Sequence, residues 1–227
     1  MGGMNEGYRA VVVGSTGAVG SELLRELLAA PRCESVVALV RRPIADAASP
    51  KLVQHVIDMA DLEAETAKHA LGCTVAFSTL GAGQPSKLSK EDFWRIDVEY
   101  AKAFALGCKA VGVEHISLLS SVGADLRSRT HYLRVKGAAE QTLIDQGFRR
   151  TSLFRPSLLV TEQTRYGWTG KVYQTVIPKL SWALPKRWHE ITVKDLGRTM
   201  RLNAEAAASG VEHLYYPDFV RLLTSAR

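Results

Sequence analysis

Apolar positions along the chain fall into short runs separated by longer amphipathic stretches, and the two alternate as far as Pro156. Ala10 to Val13, an apolar run rich in β-branched residues, predicts a first strand over Arg9 to Gly14. Leu23, Leu24, Leu27 and Leu28 share one face of a helix predicted over Ser21 to Ala30, which Pro31 stops. The same reading gives strands over Val36 to Val40, Val53 to Ile57, Thr74 to Ser78, Glu114 to Ser120 and Thr151 to Arg155. Helices are predicted over Phe93 to Leu106 and over His131 to Gln146, the second closed by Gly147 at a position where glycine relieves the backbone. Strands alternating with helices predict an α/β fold, a doubly wound parallel sheet with crossover helices. Beyond Pro156 the period fades. Thr161 to Arg187 mixes Gly, Pro, Trp and Lys and reads as a substrate-side insertion, followed by a helix over Val193 to Ala208 and a short one over Pro217 to Leu223.

The turn after the first strand is Gly14-Ser15-Thr16-Gly17-Ala18-Val19-Gly20. Gly14 permits a tight exit from the strand, Gly17 lets a pyrophosphate approach the backbone, and Gly20 lets the helix pack near the sheet. Unpaired N–H groups at the helix start then face the phosphates. A glycine triplet alone is weak evidence, but its strand–turn–helix setting makes a Rossmann-type dinucleotide site the expectation. The second strand then bears on the choice of dinucleotide. An acid at its end would bond a ribose 2′-hydroxyl, whereas here Val40 is followed by Arg41 and Arg42, which suit a 2′-phosphate. NADP(H) is therefore the expected cofactor, with Asp58 a candidate acceptor for the adenine amino group and Leu80 and Gly81 candidate walls beside the adenosine. The whole chain, 1–227, reads as one NAD(P)-binding domain with a small C-terminal subregion from about 157 to 227.

Tyr132 and Lys136 lie four apart on a predicted helix, which stacks them on one face. A phenol is a poor proton donor near neutral pH, and a lysine cation one turn away lowers its pKa. Ser121 ends the fifth strand at the sheet edge where ligands bind, and could orient a carbonyl that Tyr132 protonates.

Composition narrows the picture further. At 46% hydrophobic and 23% charged residues the chain is ordinary globular protein. No apolar run approaches the roughly 18 residues of a membrane span, and Met1 to Glu6 lacks a secretory pattern, so the expected location is cytoplasmic with no transmembrane segment. Cys33, Cys73 and Cys108 are widely spaced and read as buried free thiols, with no metal site expected. Of the net +6, the surplus belongs to residues 149–227, which hold 13 Lys and Arg against 6 Asp and Glu. Such a surplus favours an anionic substrate, an acidic partner or peripheral contact with an anionic membrane; the plainer reading is a solvated face. Nucleic acid is not an expected partner, because no recognised module with interleaved aromatics is present.

The glycine turn, Ser121 and the Tyr132/Lys136 pair together resemble the short-chain dehydrogenase/reductase superfamily. The phrases Leu118-Leu119-Ser120-Ser121-Val122-Gly123-Ala124-Asp125, Tyr132-Leu133-Arg134-Val135-Lys136-Gly137 and Phe154-Arg155-Pro156 resemble its atypical branch, which holds the human Tat-interacting tumour-suppressor oxidoreductase and bacterial NAD(P)-binding relatives. The resemblance runs from Arg9 to about Leu223. It implies NADPH held through Thr16, Gly17, Ala18, Val19, Arg41, Arg42, Leu80 and Gly81, with Tyr132 as proton donor and Lys136 as its partner. The implied activity is reduction of a small-molecule carbonyl compound; the alternative is a cofactor-dependent regulator acting through protein partners. Many superfamily members place Asn on the helix before the fifth strand, where this chain has Asp97, so a carboxylate stands near Lys136.

Overall fold

Tyr8–Val13 form the first strand, β1, and its Ala10 to Val13 run is almost wholly buried because helices cover both faces of the sheet. The coordinates are a computed structural model that describes residues 7–45, 48–83, 87–160 and 186–225. After β1 come α1 (Ala18–Ala29), β2 (Cys33–Val40), β3 (Leu52–Val56), a 3-10 turn at Met59–Asp61, α2 (Leu62–His69) and β4 (Val75–Ser78). Then follow α3 (Lys90–Trp94), a π-helical turn (Arg95–Glu99), α4 (Tyr100–Ala110), β5 (His115–Leu119), α5 (His131–Ile144) and β6 (Arg150–Phe154). The chain closes through β7 (Leu159–Val160), β8 (Ile191–Thr192), α6 (Val193–Glu205), β9 (Gly210–Leu214) and α7 (Tyr216–Ser225). Most of the predicted insertion, residues 161–185, lies outside the described residues.

Seven strands form one parallel sheet in the order β3-β2-β1-β4-β5-β6-β9, which is the Rossmann-like doubly wound arrangement. β7 and β8 pair separately. The strand order reverses between β1 and β4, where Val13 lies opposite Ser78, and a crevice opens past their carboxyl ends. Val11 and Val13 point to the face covered by α4 and α5, where Phe104, Val135 and Leu143 are buried. Ala10 and Val12 point to the face covered by α1, α6 and α7, through Leu23, Leu27, Leu196 and Phe219. Cys33, Cys73 and Cys108 are all free and buried, as their spacing suggested.

Several elements depart from the sequence reading, among them the two-residue strands β7 and β8, which are too short to show a period. The helix expected over Phe93 to Leu106 is a composite of α3, the π turn and α4, and Tyr100 N–H reaches back five residues to the carbonyl of Arg95. The short α2 was not foreseen, because it buries only Leu62 and Thr66 and so shows no apolar period. β9 lies between the two predicted C-terminal helices, where the pattern assigns no element. It is an edge strand with one buried residue, Leu214, so it carries no apolar run. Part of the basic charge of the C-terminal third is paired within the chain. Arg149, Arg150, Arg155, Arg201 and Arg221 each face a carboxylate partner within this chain.

A polar cluster fastens β9 to β6. Glu212 Oε1 accepts from Arg150 Nε at 2.8 Å, Ser152 Oγ at 2.6 Å and Asn203 Nδ2 at 3.1 Å. Since Ser152 gives its proton to Glu212, His115 Nε2, 2.7 Å from Ser152 Oγ, must be the donor of that bond. Burial, and then the charges of Arg150 and Arg149, pull the His115 pKa down from 6.5 to about 3. The unfolded chain therefore binds the extra proton first, and stability present above pH 6.5 is lost as pH falls toward 3. His115→Gln keeps an N–H donor without a titrating ring. In denaturant titrations its stability deficit against wild type should shrink as pH falls through that window, by up to about 1.4 kcal/mol per pH unit.

Candidate functional site

The crevice begins at the glycine turn. A Cβ on Gly14, whose φ is +84°, would lie 2.6 Å from Leu80 N, and one on Gly20 would lie 2.1 Å from Gly14 O and 2.6 Å from Thr79 Oγ1. Any side chain at either position forces β1's exit away from β4's exit. Gly17 differs, since its Cβ would meet only Gly14 O at 3.3 Å and would otherwise project into open space. Gly17 caps α1 with no side-chain hydrogen bond, and the first turn holds no acid, so the helix start is left for an outside anion. Ser15 Oγ, buried in this turn, has no hydrogen-bond partner among the described residues. Thr16 and Ala18 are exposed, while Val19 turns its side chain into the core and offers the backbone alone. A glycine cradle, an uncapped helix start and an orphaned hydroxyl fit a pyrophosphate.

Two cavities meet over this turn. One of about 230 Å³ is lined by Gly14, Ser15, Thr16 and Gly17, and one of about 940 Å³ by Asp58, Lys87 and Arg95. Both include Arg41, Met59, Leu80 and Gly81, so they form one cleft. Arg41 therefore sits where the two parts join. Arg42 is exposed and belongs to neither lining. Asp58 lines the larger cavity but its Oδ1 is already engaged, accepting from Ala60 N at 2.9 Å as the cap of the 3-10 turn.

The far side of the crevice is built by α5. Tyr132 is 38% exposed, and its ring stacks on buried Phe93 at 5.8 Å and 9°. Lys136 is buried, its Nζ donating to Asp97 Oδ1 at 2.6 Å and standing 6.0 Å from the Tyr132 ring centre. The two contacts form a matched pair. Phe93 and Asp97 are four apart on one helical stretch, Tyr132 and Lys136 four apart on the other. Burial, the largest single cause, pulls the Lys136 pKa down, but the charge and hydrogen bond of Asp97 together with Tyr132 and Glu140 outweigh it, and the net shift is upward from 10.5. A Cβ on Gly81 would stand 3.5 Å from Lys136 Nζ, so the lysine lies directly under the wall of the cleft.

Ser121 leaves β5 beside Pro156; Val122 N donates to the Pro156 carbonyl at 2.9 Å, and Ser121 Oγ donates to the Val122 carbonyl at 3.3 Å. The neighbouring Ser120 turns the other way and donates to Glu140 Oε1 at 2.5 Å. Glu140, a further turn along α5 from Lys136, is held by both Nε and Nη2 of Arg155, and Arg155 Nη1 donates to Tyr215 Oη at 2.7 Å. Phe93, Glu140 and Tyr215 were not singled out from the sequence. Glu140 had a signal there, as the third residue at four-residue spacing after Tyr132 and Lys136; Phe93 and Tyr215 had none.

A parallel sheet with its strand reversal over a glycine cradle, faced by a Tyr–Lys helix, defines a Rossmann-type nucleotide-binding protein of the short-chain dehydrogenase/reductase class. The chain belongs to the NAD(P)H-binding family, whose model matches residues 14–179. Protein HTATIP2 of Rattus norvegicus is 32% identical over 204 residues, covering 88% of this chain and 82% of that protein. Protein FMP52, mitochondrial, of Debaryomyces hansenii is 32% identical over 173 residues, covering 73% of each. Among solved structures, MoeE5 in complex with UDP-glucuronic acid and NAD superposes with a TM-score of 0.72 at 21% identity, covering 91% of this chain and 75% of that one. The oxidoreductase ylbE from Lactococcus lactis gives 0.67 at 16% identity, covering 96% and 97%. The mitochondrial description of FMP52 relatives, which recurs in Saccharomyces cerevisiae, contradicts the expectation of a cytoplasmic protein. That expectation rested on composition and the first residues, and neither encodes a compartment that relatives of this fold occupy. Among the described residues no helix is long and apolar enough to cross a membrane.

The glycines separate binding from folding. Gly17→Ala should leave the unfolding free energy within about 0.5 kcal/mol of wild type and weaken dinucleotide binding about tenfold or more, because the methyl projects outward. Gly20→Ala should lose about 1–3 kcal/mol, because its methyl meets backbone. Chemical denaturation and nicotinamide-fluorescence titration of both variants check this.

Proposed function

We propose that the protein is an NADPH-dependent oxidoreductase that reduces a carbonyl compound. One observation supports this above the others: a half-exposed tyrosine stands one helical turn before a lysine buried under the wall of a dinucleotide cleft. The dinucleotide, when bound, supplies the hydride that the carbonyl carbon accepts. Tyr132 gives its phenolic proton to the carbonyl oxygen, which completes the alcohol. Lys136, as a cation, stabilises the phenolate that remains. Ser121 exchanges its bond to the Val122 carbonyl for one to the substrate oxygen. Phe93 keeps the Tyr132 ring in place by stacking on it.

The preference for NADPH rests on Arg41 at the junction of the cleft, with Arg42 exposed beside it and no carboxylate at the end of β2. A charge-assisted bond to a 2′-phosphate contributes about 1.5–3 kcal/mol. NADPH should therefore bind about tenfold or more tightly than NADH, and Arg41→Ala with Arg42→Ala should erase the difference; equal affinities in the wild type would refute it.

A second reading, a dinucleotide-binding regulator acting through protein partners, draws on the engagement of Lys136 with Asp97 rather than with the Tyr132 hydroxyl. Tyr132→Phe separates the two. A reductase variant should bind NADPH as before and lose about 10²–10⁴ in turnover over a panel of aldehydes, ketones and quinones. Undiminished consumption of NADPH with a substrate that is demonstrably reduced would remove Tyr132 from the mechanism.

A further inference from the structure

We propose that Asp97 is a positioning residue whose carboxylate ties the Leu80–Ala82 wall of the cleft to Lys136, so that wall and lysine meet the dinucleotide as one unit. The inference rests on the reading of this cleft as the dinucleotide site with Lys136 serving it. Two donors from different elements converge on one side chain: Lys136 Nζ on Oδ1 at 2.6 Å, and the Ala82 backbone N–H on Oδ2 at 2.9 Å. The Asp97 side chain is only 1% exposed, so solvent substitutes for neither bond. A carboxylate accepts through both oxygens, whereas an asparagine in the same place has one acceptor and an NH₂ that would confront the second donor. The acid is therefore required by the bridge itself.

The charges around the lysine single out the same residue. The groups that reach Lys136 are Asp97 from the π turn and, on its own helix, Tyr132 and Glu140. Glu140 is already neutralised by the Arg155 guanidinium, and Tyr132 carries no charge while it holds its proton. Asp97 is thus the counter-charge that keeps a buried lysine cationic. The π turn supplies the geometry, because Phe93 at the end of α3 reaches Tyr132 while Asp97, four residues on, reaches Lys136. Gly81 lies over the ion pair, since a Cβ built on it would stand 3.5 Å from Lys136 Nζ and 3.6 Å from Asp97 Oδ1.

The test uses the full chain and NADPH, without any substrate. In the wild type, the Ala82 amide should be protected from hydrogen exchange, the Lys136 amine should titrate above a free lysine by NMR, and NADPH affinity should be flat from about pH 7 to pH 9.5. Asp97→Asn should speed Ala82 exchange about tenfold or more and make NADPH affinity fall with rising pH, as the lysine loses its proton without a counter-charge. Lys136→Met should weaken binding equally at every pH, and adding Asp97→Asn to it should introduce no slope. Flat affinity together with wild-type Ala82 protection in Asp97→Asn would overturn the proposal. Should Asp97→Asn not fold, the wild type decides: an unprotected Ala82 amide, or a Lys136 that titrates at or below free lysine, overturns it, and the opposite pair of results supports it. Turnover enters none of these readouts, so a protein that meets them all yet reduces no carbonyl refutes the reductase reading alone.

Discussion

The exits of β1 and β4 approach so closely that no side chain fits between them. A Cβ on Gly14 or Gly20 would penetrate backbone of the opposing exit or of the turn itself. Everything else in the crevice follows from that contact. It sets α1's uncapped start against the turn, brings Leu80 and Gly81 over it, and leaves the space between as a cleft rather than a filled core. The parallel register carries the constraint across the sheet, because Val13 faces Ser78 and Ser78 faces Leu118. The strand ends that supply Ser121 and the approach to α5 are therefore aligned with the turn.

Two buried ion pairs meet on one helix. α5 carries Lys136 against Asp97 and Glu140 against Arg155, a turn apart. Removing two ions from water costs several kcal/mol per ion, and their attraction offsets this only when the remaining bonds are made. Both pairs meet that condition. Asp97 also takes the Ala82 N–H, Glu140 also takes the Ser120 hydroxyl, and Arg155 also reaches Tyr215. Such pairs add little net stability over an apolar replacement, but they fix which side of α5 faces the cleft. A slip of one residue would leave two uncompensated charges.

The same kind of pairing accounts for part of the basic C-terminal third. Three of its arginines hold the chain to itself: Arg150 and Arg155 are mostly buried and bind β6 to β9 and to α5, and Arg201 joins α6 to α1. Arg149 and Arg221 are exposed, and their pairs contribute little.

The sequence by itself determined the class of fold, the glycine turn and the shared helix face of Tyr132 and Lys136, because each is encoded locally. Strand and helix periods lie within a few residues, glycine is required by backbone crowding at its own position, and a four-residue spacing on a helix fixes a shared face. The same local logic exposed the absent acid after β2. What it could not carry were contacts set by how elements rotate against one another. Asp97 was noted as standing near Lys136, but its second bond, to the Ala82 amide, comes from a loop and has no sequence period. Arg41 and Arg42 are adjacent in sequence, yet only Arg41 lines the cleft, since consecutive residues leaving a strand point in different directions. Phe93 under Tyr132 and the exposed edge strand β9 were decided only by tertiary packing. In each case the partner is distant along the chain, and the physics that selects it is the docking of whole elements rather than the preference of any one segment.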